Sequence, residues 1–192
     1  DRFDGAAGTL VPNDPDSVGV QPGSGPRHLA WHPSRRAIYL LNELSSTVSA
    51  LHFDAARGAL DVFQTASARA AGAAGQTIAA EIAVSADGRF LYASNRGDDD
   101  IAVFAIDEST LGLTPAGHVR TGGRGPRSFA IDPSGRWLVA ANEGSDSLVT
   151  FGLDAVSGGL SAGGPLVSVP SPVCVLFAPP SKASESGRPR VR

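Results

Sequence analysis

Methionine is absent from the 192 residues, position 1 included, and cysteine occurs once, at Cys174. A single cysteine excludes an intramolecular disulfide and a zinc site built on paired cysteines. It sets a reducing, cytoplasmic compartment as the expectation. Charge of one sign is lacking too: 16 Lys and Arg face 19 Asp and Glu, a formal net charge of −3. Neither nucleic acid nor an anionic membrane surface finds a matching field in such a chain. No apolar run approaches the ~18 residues of a membrane-crossing helix. The chain does not open on a basic stretch followed by an apolar one, so no secretory signal is visible. Amphipathic helical periodicity is missing as well. What remains, 42% apolar and 18% charged residues, is ordinary for a globular domain with one good core.

What is present is a repeat. Asn42, Asn95 and Asn142 each close a similar segment: "HPSRRAIYLLN", "SADGRFLYASN" and "DPSGRWLVAAN". The segments "STVSALHFDAARGAL", "DDIAVFAIDESTLGL" and "DSLVTFGLDAVSGGL" follow them, and the Asn-to-Asn periods are 53 and 47 residues. In the middle copy four short runs alternate apolar and polar residues or are β-branched: "EIAVS", "RFLYASN", "DIAVFAID" and "LTPAGHV". Turn chemistry separates them, in "SADG", "RGDD" and "DESTLG". Residues 66–75, "ASARAAGAAG", read as a small-residue loop ahead of the second copy.

Four strands per repeat of ~40–50 residues predict an all-β fold, a β-propeller of four-stranded antiparallel blades. The opening "DRFDGAAGTL" matches "LHFDAARGAL", so the chain begins near the third strand of a blade, and "SPVCVLFAP" falls where a further first strand belongs. The expectation is an incomplete ring over residues 1–180, three complete blades plus two partial ones, with a disordered tail over 181–192. A closed propeller needs at least about four blades, and an open one exposes strand edges. Further, N-terminal blades would have to close this ring.

The first strand of each blade lines the central channel, and its leading end opens on the same face as the turn after the second strand. Fourteen residues before each Asn stand His28, Glu81 and Ser128, preceded by Arg27, Ala80 and Arg127. The Asn residues are followed by Glu43, Arg96 and Glu143. A scaffold has no need of three different polar groups at equivalent positions, whereas a site for one asymmetric small molecule does. His28 and Glu81 can share acid–base work. Arg27, Arg96 and Arg127 can clamp an anion or stabilise an oxyanion, and Arg27 and Arg127 can instead brace the blade entry. The three Asn residues serve either as substrate contacts or as turn residues bonding their own backbone. His32, His52 and His118 have no matching partners. "GGRGPRS" lacks the lysine and helix of a phosphate loop, Ser128 lacks the strand–turn–helix setting of a hydrolase nucleophile, and no cluster has metal-ligand spacing.

"GPRHLAWHP", "AAEIAVSADGRFLYASNRGDDDIAVF", "GPRSFAIDPSGRWLVAANEGSDSLVTF" and "VPSPVCVLF" resemble the seven-bladed β-propeller lactonase family over about residues 3–178. That family includes bacterial-type 6-phosphogluconolactonases and fungal carboxymuconate cyclases. The resemblance implies hydrolysis of a sugar-acid lactone without metal or cofactor, foremost 6-phosphogluconolactone to 6-phosphogluconate in the pentose phosphate pathway. It implies His28, Glu81, Arg96 and Arg127 as catalytic residues; Arg27, Asn42, Asn95 and Asn142, which the repeat brings to the same mouth, are the candidate substrate contacts. Two departures stand out: "ASARAAGAAG" replaces an often more polar segment, and the family's N-terminal blades are absent. A binding propeller without turnover, or an inactive fragment of the lactonase, are the competing readings.

Overall fold

The computed structural model describes residues 1–178, so the tail expected over 181–192 lies outside the described residues. The chain opens with a hairpin of β1 (Arg2–Asp4) and β2 (Thr9–Val11). Blade one follows with β3 (Pro26–Trp31), β4 (Ala37–Asn42), β5 (Thr47–Asp54) and β6 (Ala59–Ser67). Blade two has β7 (Ile78–Val84), β8 (Phe90–Arg96), β9 (Asp100–Ile106) and β10 (Leu113–Arg120). Blade three has β11 (Pro126–Ile131), β12 (Trp137–Asn142) and β13 (Ser147–Leu153), then an interrupted outer strand, β14 (Leu160–Ala162) and β15 (Val167–Ser168), both paired to β13. Within each blade, sequential strands pair antiparallel. Glu143–Ser145 forms one 3-10 turn, and no helix among the described residues is long and apolar enough to cross a membrane.

Two details differ from the expectations. Ala66 and Ser67 complete β6 rather than opening the small-residue loop, because the ladder with β5 continues to Thr47↔Ser67. The segment expected to supply a further first strand, residues 172–178, forms no strand. It lies against blade three, where Val175 N–H donates to Ser128 Oγ at 3.3 Å.

Turn chemistry repeats with the blades. Asp54 ends the third strand of blade one, Asp107 and Asp154 directly follow those of blades two and three, and each accepts backbone N–H groups two and three residues on. Asp4 does the same in the opening hairpin, which identifies β1 and β2 as the third and fourth strands of a blade. The Ser109 hydroxyl, with the Thr110 N–H and hydroxyl, pulls the Asp107 carboxyl down to about 2.

Packing between blades follows from the two-residue period of a strand. On β8 and β9, Leu91, Ala93, Ala102 and Phe104 join the core shared with blade one. Phe90, Tyr92, Ile101 and Val103 join the core shared with blade three. Blade two is therefore covered on both faces. Hydroxyl ties add direction to this stacking. Tyr39 donates to Leu111 O and Tyr92 to Gly158 O, both at 2.9 Å, each reaching the third-to-fourth-strand turn of the next blade. Burial pushes both phenols above their ordinary range. Gln64 adds a two-way bond to the backbone of Leu113. On blade one, Leu29 is 56% and Trp31 40% exposed, and the three described blades do not close a ring.

The hairpin between the first two strands needs a left-handed residue. Gly88 (φ 77°) and Gly135 (φ 70°) supply it in blades two and three, but blade one holds exposed Arg35 at φ 56°. A side chain in that conformation costs roughly 1–2 kcal/mol, part of which glycine's freedom in the unfolded chain offsets. Arg35→Gly is expected to raise stability by about 0.5–1 kcal/mol. A denaturant midpoint shifted upward with unchanged slope is the measurement that checks it.

Candidate active site

Each inner strand carries a bulge at its leading end. The register slips between Pro26 and His28, between Ala79 and Ile82, and between Pro126 and Ser128. A bulge inserts one residue and re-aims the side chains around it. It also fixes which end of the blade they occupy, because Pro26, Ala79 and Pro126 pair directly with Asn42, Asn95 and Asn142. Strand β7 packs between β3 and β11, so the three bulges meet.

His28, Glu81 and Ser128 form one connected row across the three blades. The His28 ring nitrogen Nδ1 and Glu81 Oε1 are 2.8 Å apart. Ser128 Oγ donates to Glu81 Oε2 at 3.3 Å. Glu81 is further held through its backbone N–H, which donates to Ser94 Oγ at 3.0 Å. Ser128 is buried, while the His28 side chain is 44% exposed. With Nδ1–H donating to the carboxylate, the neutral imidazole presents Nε2 as a proton acceptor. The carboxylate then stabilises the imidazolium that forms when Nε2 takes up a proton. The change from His28 to Ser128 at equivalent positions thus has a physical reading: the two residues hold opposite oxygens of the same carboxylate.

The arginines sort by partner. Arg27 Nη1 lies 3.3 Å from Glu43 Oε2, and Arg96 Nη2 pairs with Glu43 Oε1. The same two side chains donate to the β7 backbone, Arg27 Nε to Ala80 O at 2.9 Å and Arg96 Nη2 to Ala79 O at 3.3 Å. Burial pushes the Glu43 carboxyl up, but the Arg96 hydrogen bond and the two guanidinium charges outweigh it and hold the group below its ordinary value. Arg127 is held more loosely, 3.5 Å from Glu143 Oε2, with both side chains over a third exposed.

Asn42, Asn95 and Asn142 are buried. Asn42 donates to Thr47 Oγ1 and Ser49 Oγ, Asn95 to Ala68 O and Asp100 Oδ1, and Asn142 to Thr121 O. Asn42 thus braces its own blade, Asn95 and Asn142 also tie the chain leaving the preceding blade, and none of these bonds joins the His28 row. Among the described residues no metal-ligating cluster is present. A cavity of about 530 Å³ opens at the opposite end of blades one and two, beside His32, Arg36 and Arg89. Its histidine is already engaged, with Ser34 Oγ and Gly88 O on its two nitrogens. The cavity therefore carries less chemistry than the His28 row. Glu43 was the residue least visible beforehand. Its one signal was alternation at the position after Asn: Glu43, Arg96, Glu143.

Stacked four-stranded antiparallel blades, with a histidine, a carboxylate and arginines gathered at one end of the inner strands, define a propeller with a polar mouth. The chain belongs to the "Lactonase, 7-bladed beta-propeller" family, whose model matches residues 2–177. It is 41% identical over 156 residues to a Bacillus subtilis protein named 6-phosphogluconolactonase, covering 81% of this chain and 45% of that one. A Pectobacterium carotovorum protein of the same name is 39% identical over 127 residues, covering 66% of this chain and 38% of that one. The solved structure of a periplasmic gluconolactonase from Pseudomonas aeruginosa superposes with a TM-score of 0.79 at 39% identity, covering 83% of this chain and 44% of that one. The chain thus spans less than half the length of these relatives.

If the asparagines brace the blade, Asn95→Ala should lower stability by about 1–3 kcal/mol, the usual effect of orphaning buried polar partners. An unchanged unfolding midpoint together with a raised KM would instead return Asn95 to substrate contact.

Proposed function

We propose that the protein hydrolyses a sugar-acid lactone at the mouth where His28, Glu81 and Arg127 stand. The observation that carries this reading is the 2.8 Å bond between His28 Nδ1 and Glu81 Oε1, which leaves Nε2 free to act on a water. His28 Nε2 accepts a proton as the water oxygen attacks the lactone carbonyl carbon. The carbonyl oxygen gains the negative charge as the tetrahedral intermediate forms. Collapse of the tetrahedral intermediate breaks the bond to the ring oxygen, which takes the proton back from the imidazolium. Water and lactone become one open-chain hydroxy acid, and His28 returns to its starting state.

Among Arg27, Arg96 and Arg127, the last is the best placed to receive an anionic group, because its contact with Glu143 is long and exposed. Arg27 and Arg96 act behind Glu81 rather than on the substrate. The names of the relatives support 6-phosphogluconolactone as the substrate, which goes with the pentose phosphate pathway and a cytoplasmic location. The name of the Pseudomonas protein supports a second reading, unphosphorylated gluconolactone. The whole site is taken as completed in a closed ring of the family's seven blades.

Both readings are tested by measuring hydrolysis of the two lactones at neutral pH, corrected for the spontaneous reaction. Turnover of the phosphorylated lactone in strong preference supports the first, turnover of the plain lactone the second, and acceleration of neither overturns the lactonase. Glu81→Gln should lower kcat by at least about a hundredfold while the fold persists, as expected when acid–base catalysis loses its pair. Arg127→Ala should raise KM for the phosphorylated lactone roughly tenfold or more and leave the plain lactone little changed, the loss expected for one charge-assisted bond. Equal effects on both substrates would mark Arg127 as structural.

A further inference from the structure

The carboxylate of Glu43 stands behind the catalytic pair and touches neither member of it. Its two oxygens take different arginines, Oε2 the guanidinium of Arg27 and Oε1 that of Arg96. Those arginines come from different blades, Arg27 from β3 and Arg96 from the end of β8. Each then donates to one of two successive carbonyls, Ala80 O and Ala79 O. These carbonyls belong to the bulge of β7, where the ladder to β8 breaks between Ala79 and Ile82. A bulge leaves backbone groups outside the ladder, and buried backbone groups need partners. The residue following the two carbonyls is Glu81. Glu43 also grips the same point through its backbone, accepting the Ala79 N–H at 3.0 Å.

We propose that Glu43 is a positioning residue: by holding Arg27 and Arg96 together on the carbonyls of Ala79 and Ala80, it sets the β7 bulge that aims Glu81 at His28. The proposal rests on the reading of His28 and Glu81 as the catalytic pair. Without the carboxylate, two guanidinium groups face each other across the blade boundary with no anion between them. They separate, the bulge loses its partners, and the Glu81 side chain is no longer fixed opposite Nδ1. Among the described residues, the equivalent residue in blade three, Glu143, meets one arginine, Arg127, at 3.5 Å. The side chains of the Glu43 cluster are a quarter exposed or less, so the brace is only partly screened by solvent.

The test uses Glu43→Gln and Glu43→Asp in the protein as its gene encodes it. The first readout is the side-chain NMR signal of the His28 Nδ1 proton, which reports the bond to Glu81 in the absence of any substrate. The second is the split between kcat and KM for lactone hydrolysis. Glu43→Gln is expected to lose the Nδ1 signal of the bonded state and to lower kcat about a hundredfold with KM little changed, the effect of a misplaced catalytic group. Glu43→Asp, which keeps the charge, is expected to recover part of both. An unaltered Nδ1 signal in Glu43→Gln overturns the proposal, whether kcat is unchanged or KM alone has risen. If Glu43→Gln does not fold, Arg96→Lys carries the same two readouts, because an ammonium cannot reproduce the fork to Glu43 and Ala79. Retention of the signal there overturns the proposal as well. A wild-type protein that shows the Nδ1 signal but turns over no lactone overturns the lactonase reading, and the positioning role is then decided by the signal alone.

Discussion

A histidine on one blade and a glutamate on the next can share a hydrogen bond of 2.8 Å only if the two sheets stack at the spacing of a packed core. That spacing comes from the alternation along β8 and β9, whose odd and even residues enter separate cores on the two faces of blade two. The tyrosine ties and the Gln64 bridge prevent the sheets from sliding over each other. With the sheets held in this way, β7 sits between β3 and β11. The polar row at its leading end follows from the packing beneath it.

The mouth carries alternating charge, and the alternation separates cations with equal formal charge into different roles. Arg27 and Arg96 each have an anion and a backbone carbonyl as partners, so bringing a substrate to them means breaking two contacts. Arg127 has one long contact at the surface, and an incoming anion can replace Glu143 with little lost. The neutralised inner pair holds the backbone, while the outer arginine remains available to solvent. Ser128 completes the arrangement from the far side, because it bonds Glu81 and receives the N–H of Val175. The segment after blade three is thereby joined to the Glu81 carboxylate through a single hydroxyl.

Much of the architecture was legible in the sequence because its causes are local and periodic. Turn residues such as Asp107 and Gly135 mark strand ends by their own backbone chemistry, and apolar alternation marks the faces. The meeting of His28 with Glu81 was legible from register alone, since both lie fourteen residues before a repeated Asn. The bulges were not, because a bulge is a property of two paired strands and neither strand shows it singly. For the same reason the arginines could be placed at the mouth but not sorted, as their partners come from other blades. The asparagines pointed two ways in the sequence, and burial with bonds to their own scaffold supports the bracing role. Residues 172–178 carry the pattern of a strand without forming one, since such a pattern records a preference that pairing must still realise.

The tyrosine ties all run the same way along the chain, from a blade to the one that follows it, and Val139 stands where the third tyrosine would be. Such an array is a one-dimensional system of nearest neighbours, in which each unit's free energy includes a term for the next. Opening blade two breaks both phenol bonds. The ties thus couple the blade that carries Glu81 to both of its described neighbours.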